Sequence, residues 1–166
     1  MVQKIKFRFT NYDNYPFDEI SSLIFSNVKN KDSSLKLILA VNEAVSNAIR
    51  YSVDLIGECK IKITTIITES KITFIISSKT RNCRAIKIKQ KMYKFKRKDS
   101  WAQAIKGRPN GRGMWIILEG VSKLILDENM NWITLEKKLN EKIENETSLK
   151  LLRKMKINKV RQKEVK

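Results

Sequence analysis

The sequence has no histidine, two cysteines, two prolines and five glycines among its 166 residues. Without histidine, a Ser-His-Asp triad, a Cys-His dyad and a histidine-ligated zinc are all excluded. Cys59 and Cys83 are too few for a disulfide framework and stand at no metal-ligand spacing, so each reads as a plain reduced thiol. No apolar run approaches the roughly 20 residues that cross a bilayer as a helix. The opening MVQKIKFRF is too short and too charged for a secretory leader. A cytoplasmic location is the expectation, with no membrane among the partners. Acidic residues are also scarce: 17 Asp and Glu face 35 Lys and Arg, for a formal net charge of +18. Such a charge chooses no fold, but it favours contact with something acidic.

Apolar residues make up 42% of the chain, enough for one core. Lys4–Phe9 alternates charged and apolar side chains, as a half-buried strand does. FDEISSLIFSNV after Pro16 reads as a short amphipathic helix. Asp32, Ser33 and Ser34 are N-cap candidates for a helix over about Leu35–Val53, whose stripe is Leu37, Val41, Ala44, Val45 and Ala48. Cys59–Thr68 and Lys71–Ser78 are β-branched and separated by Glu69-Ser70, which predicts a hairpin. RAIKIKQKMYKF alternates again and reads as a strand or an extended basic loop. Ser100–Ile105 suggests a helical turn or two, and Gly107–Gly113 a flexible loop. MWIILEGV reads as a buried short helix, and KLILDENMNWITLEKKL as strand, turn, strand. Trp115 and Trp132 read as core or sheet packing. This order predicts an α+β sandwich, an antiparallel-rich sheet with helices on one face. The expected organisation is one domain over 1–138 and a basic helical tail over 139–166. The tail has a thin stripe of Leu149, Leu152, Met155 and Val160, which would serve docking on the domain, dimerisation or a partner.

On the long helix, Lys36, Glu43, Asn47, Arg50 and Asp54 fall roughly opposite the apolar stripe, since each residue advances 100°. By themselves they describe a solvated face. Downstream, GRPNGRGMWII sets three glycines before an apolar helix. Unpaired N–H groups and the helix dipole favour anions at such an N-terminus. Arg112 follows Gly111 where a Walker A loop has Lys and Ser or Thr, so this is not that motif.

Taken together these features resemble the GHKL (Bergerat-fold, histidine-kinase-like) ATPases, and within them the anti-sigma regulatory factors of bacteria, over about residues 5–137. In that family a helix carries E-A-v-x-N-a, matched here in NEAVSNAI by Glu43 and Asn47. A later G-x-G followed by Met or Leu opens a helix, matched in GRGMWIILEGV. The resemblance implies a two-layer sandwich with a mixed, mostly antiparallel sheet and helices on one face, and ATP and Mg as cofactors. It implies that Asn47 binds the Mg²⁺ and that Glu43 is the catalytic general base. In kinase members this base deprotonates a serine of an anti-anti-sigma (STAS-domain) partner. It further implies that Gly107, Arg108, Gly111, Arg112, Gly113 and Met114 close over the phosphates, with the two arginines supplying charge.

The family's D-x-G-x-G after the second hairpin strand aligns with Ser78-Lys79-Thr80-Arg81-Asn82. Ser78 stands where the Asp receives the adenine amino group, and both glycines are absent. Losing a charge-assisted bond of roughly 1.5–3 kcal/mol weakens nucleotide binding by about ten- to a hundred-fold. The resemblance therefore implies either a serine/threonine-protein kinase with weak ATP binding or a protein-binding pseudo-ATPase. In both cases the partner is a sigma factor or a STAS-domain protein, and a homodimer fits the family.

Between Lys79 and Arg112 stand thirteen basic residues opposed by Asp99 alone, so this fifth of the chain holds +12 of the +18. A solvated loop would account for that, and so would a docking surface for an acidic sigma factor with Tyr93, Phe95 and Trp101 as anchors. Nucleic acid is the alternative partner, because basic segments with interleaved aromatics bind phosphates and stack bases.

Overall fold

Strict alternation along each strand lets one sheet carry two different faces. The computed structural model describes residues 2–52, 60–79, 83–94, 112–141 and 146–158. Over these the chain runs β1 (Gln3–Phe9), α1 (Phe17–Asn27), α2 (Lys31–Tyr51), β2 (Ile61–Ile67), β3 (Lys71–Ser77) and α3 (Ala85–Lys94). It continues with α4 (Arg112–Gly120), β4 (Lys123–Asp127), β5 (Trp132–Lys138), α5 (Ser148–Arg153) and β6 (Met155–Asn158). The fold is α+β. Its six strands form one sheet in the order β1-β2-β3-β5-β4-β6, antiparallel except where β6 runs parallel to β4.

The register aligns side chains in rows across all six strands. Phe7, Ile63, Ile76, Ile133, Leu126 and Ile157 form one row, and Ile5, Thr65, Phe74, Leu135, Leu124 and Met155 another. Both rows are apolar apart from Thr65, and most members are buried in the same core as α2 and α4. The row between them points the other way: Lys6, Thr64, Ile75, Thr134, Ile125 and Lys156. A one-residue slip would put lysines into the core, so the pattern itself fixes the register.

Helix α2 begins earlier than its sequence suggests. Asn30, not Asp32, Ser33 or Ser34, is the N-cap, and its side chain accepts the Ser33 N–H at 2.9 Å. Ser34 turns inward instead, its hydroxyl donating to Val28 O at 2.8 Å. The stripe Leu37, Val41, Ala44, Val45 and Ala48 is buried as expected. The β2–β3 and β4–β5 hairpins stand where the sequence places them, and Trp115 is core while Trp132 is half-buried on the sheet.

Three expectations are corrected. RAIKIKQKMYKF is neither strand nor loop where described; Ala85–Lys94 is helix α3. Ala85, Ile88 and Met92 recur at helical spacing and turn to the core, and Lys, Gln, Met and Ala favour helix. Gly113 belongs to the first turn of α4 rather than to a loop. The tail is helical only over Ser148–Arg153 among the described residues, and Met155–Asn158 joins the sheet as β6. Leu149 stays 64% exposed, while Leu151, Leu152 and Met155 are buried. Backbone groups along the edge of β4 take β6 as partner, with Leu124 N–H on Lys154 O at 3.0 Å and Glu128 N–H on Asn158 O at 3.1 Å. Val53, Asp54, Cys59, Phe95, Trp101, Ser100–Ile105 and Val160 lie outside the described residues.

Polar contacts fasten this tail. The Lys154 ammonium donates to Val121 O at 2.8 Å and Leu118 O at 3.3 Å, and pairs with Glu146. It thereby satisfies carbonyls at the C-terminal end of α4, where the dipole favours a cation. Nearby, the Ser122 hydroxyl donates to Glu141, and Lys137 reaches the same carboxylate at 3.3 Å. Burial alone would push the Glu141 carboxyl up. The Ser122 hydroxyl and the Lys137 and Lys154 charges outweigh that and hold it below its usual value.

Two outcomes follow. Thr65 is fully buried and its hydroxyl has no hydrogen-bond partner among the described residues. Thr65→Val keeps the shape and removes an unsatisfied polar group, so it should raise unfolding stability by about 1 kcal/mol in urea titration. Glu141 has a depressed folded-state pKa, so its contribution is full above the unfolded value of about 4.3 and vanishes as pH falls through the folded value. Glu141→Gln should flatten that acid segment of the stability profile while leaving the slope near neutrality unchanged.

Candidate functional site

Helix α4 lies antiparallel against α2, and two glycines seven residues apart set the distance. A Cβ built on Gly120 would run into the Lys36 carbonyl oxygen and stand 2.6 Å from Ala40 Cβ. At Gly113, a Cβ would fall on Glu43 Oε1 and stand 2.6 Å from its Cδ. Moving seven residues forward on α4 moves seven residues back on α2, from Glu43 to Lys36. Both glycines are therefore explained by close approach.

This contact brings together the two pieces that the sequence holds 70 residues apart. Glu43 is half-buried, its side chain lying against Gly113 in the first turn of α4. Asn47, one turn further along α2 and also half-buried, lies on the same side of the helix. Arg112 opens α4 and is exposed, and Met114 is half-buried against the core. Gly107, Arg108 and Gly111 lie outside the described residues.

Ser78 sits just past β3, where its N–H donates to Asn131 O at 2.9 Å in the β4–β5 turn. That turn is held by buried Asp127, whose Oδ2 accepts the Asn131 N–H at 3.0 Å, and by Met130 at φ 59°. Ser78 makes no hydrogen bond to Glu43 or Asn47 among the described residues. The Ser78 position thus offers a neutral hydroxyl on a strand end already tied to a neighbouring turn.

The residues present fit the phosphate side of a Mg-nucleotide better than its base. Among the described residues no group of three or more His, Cys, Asp or Glu could hold a metal by itself. Mg²⁺ commonly relies on one or two protein oxygens with phosphate and water for the rest, which is what an Asn47 amide oxygen would supply.

Tyr15 buttresses the other flank of α2. Its hydroxyl donates to Asn42 Oδ1 at 2.8 Å, beside Glu43, and its ring packs at a tilt against Phe9 and Phe17, with centroids 5.2 Å and 6.3 Å away. Burial, with the Tyr12 phenol adding to it, pushes the Tyr15 hydroxyl well above its ordinary value, so it stays a neutral donor. No local pattern marks Tyr15 or Gly120; an aromatic cluster F-x₅-Y-x-F and a Gly ending an apolar helix are the only signals. Cys83 is a free, half-buried thiol whose pKa is raised by burial, which fits an unreactive role.

A scan against protein-family models finds no match to this chain, and no curated protein matches its sequence.

The packing makes a ranked expectation. Gly120→Ala meets backbone, which cannot yield, and should destabilise by at least about 2 kcal/mol. Gly113→Ala meets the end of a flexible glutamate, which can swing away, so its loss should be smaller. Glu43→Ala combined with Gly113→Ala should restore part of that loss in a double-mutant cycle, because the added methyl then has space.

Proposed function

We propose that this chain is a regulator of the histidine-kinase-like ATPase type, close in design to anti-sigma factors, in which nucleotide binding is weak. The approach of Gly113 to Glu43 carries the reading. It unites an acid-amide pair on one helix with a glycine-opened helix N-terminus, the arrangement that the E-A-v-x-N-a and G-x-G resemblance requires. In this reading the two-layer sandwich presents Asn47 to the Mg²⁺ between nucleotide phosphates. The first turn of α4, with Arg112 and the preceding Gly107–Gly111, receives the phosphate charge.

Glu43 is within reach to accept the proton of an attacking serine hydroxyl from a STAS-domain partner. Before that its side chain must move off Gly113, because carboxylate and phosphate charge would compete for the first turn of α4. That competition and the neutral Ser78 act in the same direction, towards weak affinity. Regulation then rests on binding a sigma factor or its antagonist, and kinase activity is a secondary property.

Calorimetry with Mg²⁺ and ATP should give weak or undetectable binding, and Glu43→Gln should bind the triphosphate more tightly than the parent because it removes the competing charge. A sub-micromolar dissociation constant for the parent would remove the weak-nucleotide part. Capture from native cytoplasm should recover a sigma subunit or a STAS-domain protein; recovery of nucleic acid or ribosomes alone would remove the regulator reading.

A further inference from the structure

The face of the sheet turned away from the α2–α4 core has a defined pattern. Its central row reads Lys6, Thr64, Ile75, Thr134, Ile125, Lys156 from one edge strand to the other. Flanking rows repeat it: Lys4, Ile66, Thr73, Glu136 and Lys123 on one side, Arg8, Lys62, Ser77 and Trp132 on the other. Around the central row the middle strands carry threonine and half-buried isoleucine, Lys71 and Lys138 stand opposite each other at one end of β3 and β5, and the β1 edge carries Lys4, Lys6 and Arg8.

Two acidic side chains belong to this face, and both are engaged. Glu136 binds Lys71 at 3.1 Å and Lys123 at 3.9 Å, and Asp127 caps the Asn131 N–H. Lys4, Lys6, Arg8, Lys62 and Lys156 form no ion pair among the described residues. The face therefore sets half-buried isoleucines beside the unneutralised cations Lys4, Lys6, Arg8 and Lys62 of β1 and β2, with Lys156 at the opposite edge.

We propose that this sheet face docks an acidic amphipathic helix of a partner protein. Five strand spacings separate Lys6 from Lys156, about 24 Å. A helix with its side chains is about 10–12 Å across. Laid over the isoleucines, it buries an apolar stripe on Ile75 and Ile125 and leaves room at each side. Lysine stems reach inward across that room, so Asp or Glu on both helix flanks meet Lys6 and Lys156. A second copy of this chain is disfavoured, because the face is positive overall and would meet like charge. Single-stranded nucleic acid is disfavoured because its affinity comes from successive stacked aromatics, and Trp132 is the one aromatic in these rows.

The proposal does not rest on nucleotide binding, since Glu43 and Asn47 are not on the sheet. Full-length protein is titrated with a fluorescein-labelled helical peptide of about 18 residues, roughly five turns, with one leucine stripe flanked by glutamates. Anisotropy should show saturable binding that weakens as salt rises. Amide shifts should change along β3, β4 and β5. Lys6→Glu with Lys156→Glu, both exposed and chosen to spare the core, should weaken the complex by about tenfold or more at low salt while the melting temperature holds. A peptide of the same composition without the stripe should bind worse. The proposal fails if binding is absent, if the variant binds as well as the parent, or if the shifts map to the helices. It fails also if a single-stranded oligonucleotide outcompetes the peptide on this face, or if the two substitutions abolish a dimer.

Discussion

Everything at the candidate site depends on how near α4 can come to α2. Gly120 removes the side chain that would strike the Lys36 carbonyl, and Ala40 keeps the opposing surface low. With the helices this close, Trp115, Ile117 and Leu118 sink fully into the core beside Leu37, Val41 and Val45. Burial of such side chains contributes on the order of 1.5–3 kcal/mol each. The apolar contact holds the helix pair together, and the glycines decide its spacing. Glu43 and the α4 N-terminus are then neighbours by consequence.

That arrangement leaves the Glu43 side chain against Gly113 in the first turn of α4. The C-terminal end of α4 is complemented by Lys154, which arrives from the chain segment leading into β6. The C-terminal end of this nine-residue helix thus carries the charge that its dipole favours. The same lysine ties the last described segment to the sheet, so the tail contributes to the stability of the site.

Legibility in the sequence followed the range of the interactions. Helix α2, the two hairpins and β1 rest on period and turn residues close in the chain, and their patterns are plain. Helix α3 was misread because isoleucine at 86 and 88 mimics a strand, while the i, i+3, i+7 set Ala85, Ile88, Met92 gains its meaning only from a core to bury in. β6 was misread because Met155 and Ile157 make too short an alternation to stand against a helical neighbour. Its strand state is granted by the waiting edge of β4. The N-cap was shifted to Asn30 because several polar residues in a row could each cap, and packing of Ser34 onto Val28 chose among them.

For the site, the sequence determined the chemistry available: an acid and an amide four residues apart on one helix, glycines before another, a neutral hydroxyl at Ser78, and no histidine. Helical periodicity is a local property, so Glu43 and Asn47 had to share a side wherever the helix lay. The tertiary structure decided which side that was, what stood opposite it and how close. It also gathered Lys4, Lys6, Arg8 and Lys62 on one side of the outer sheet face, with half-buried Ile75 and Ile125 beside them, because strand register is a long-range property and no stretch of chain by itself says which strand will lie beside it.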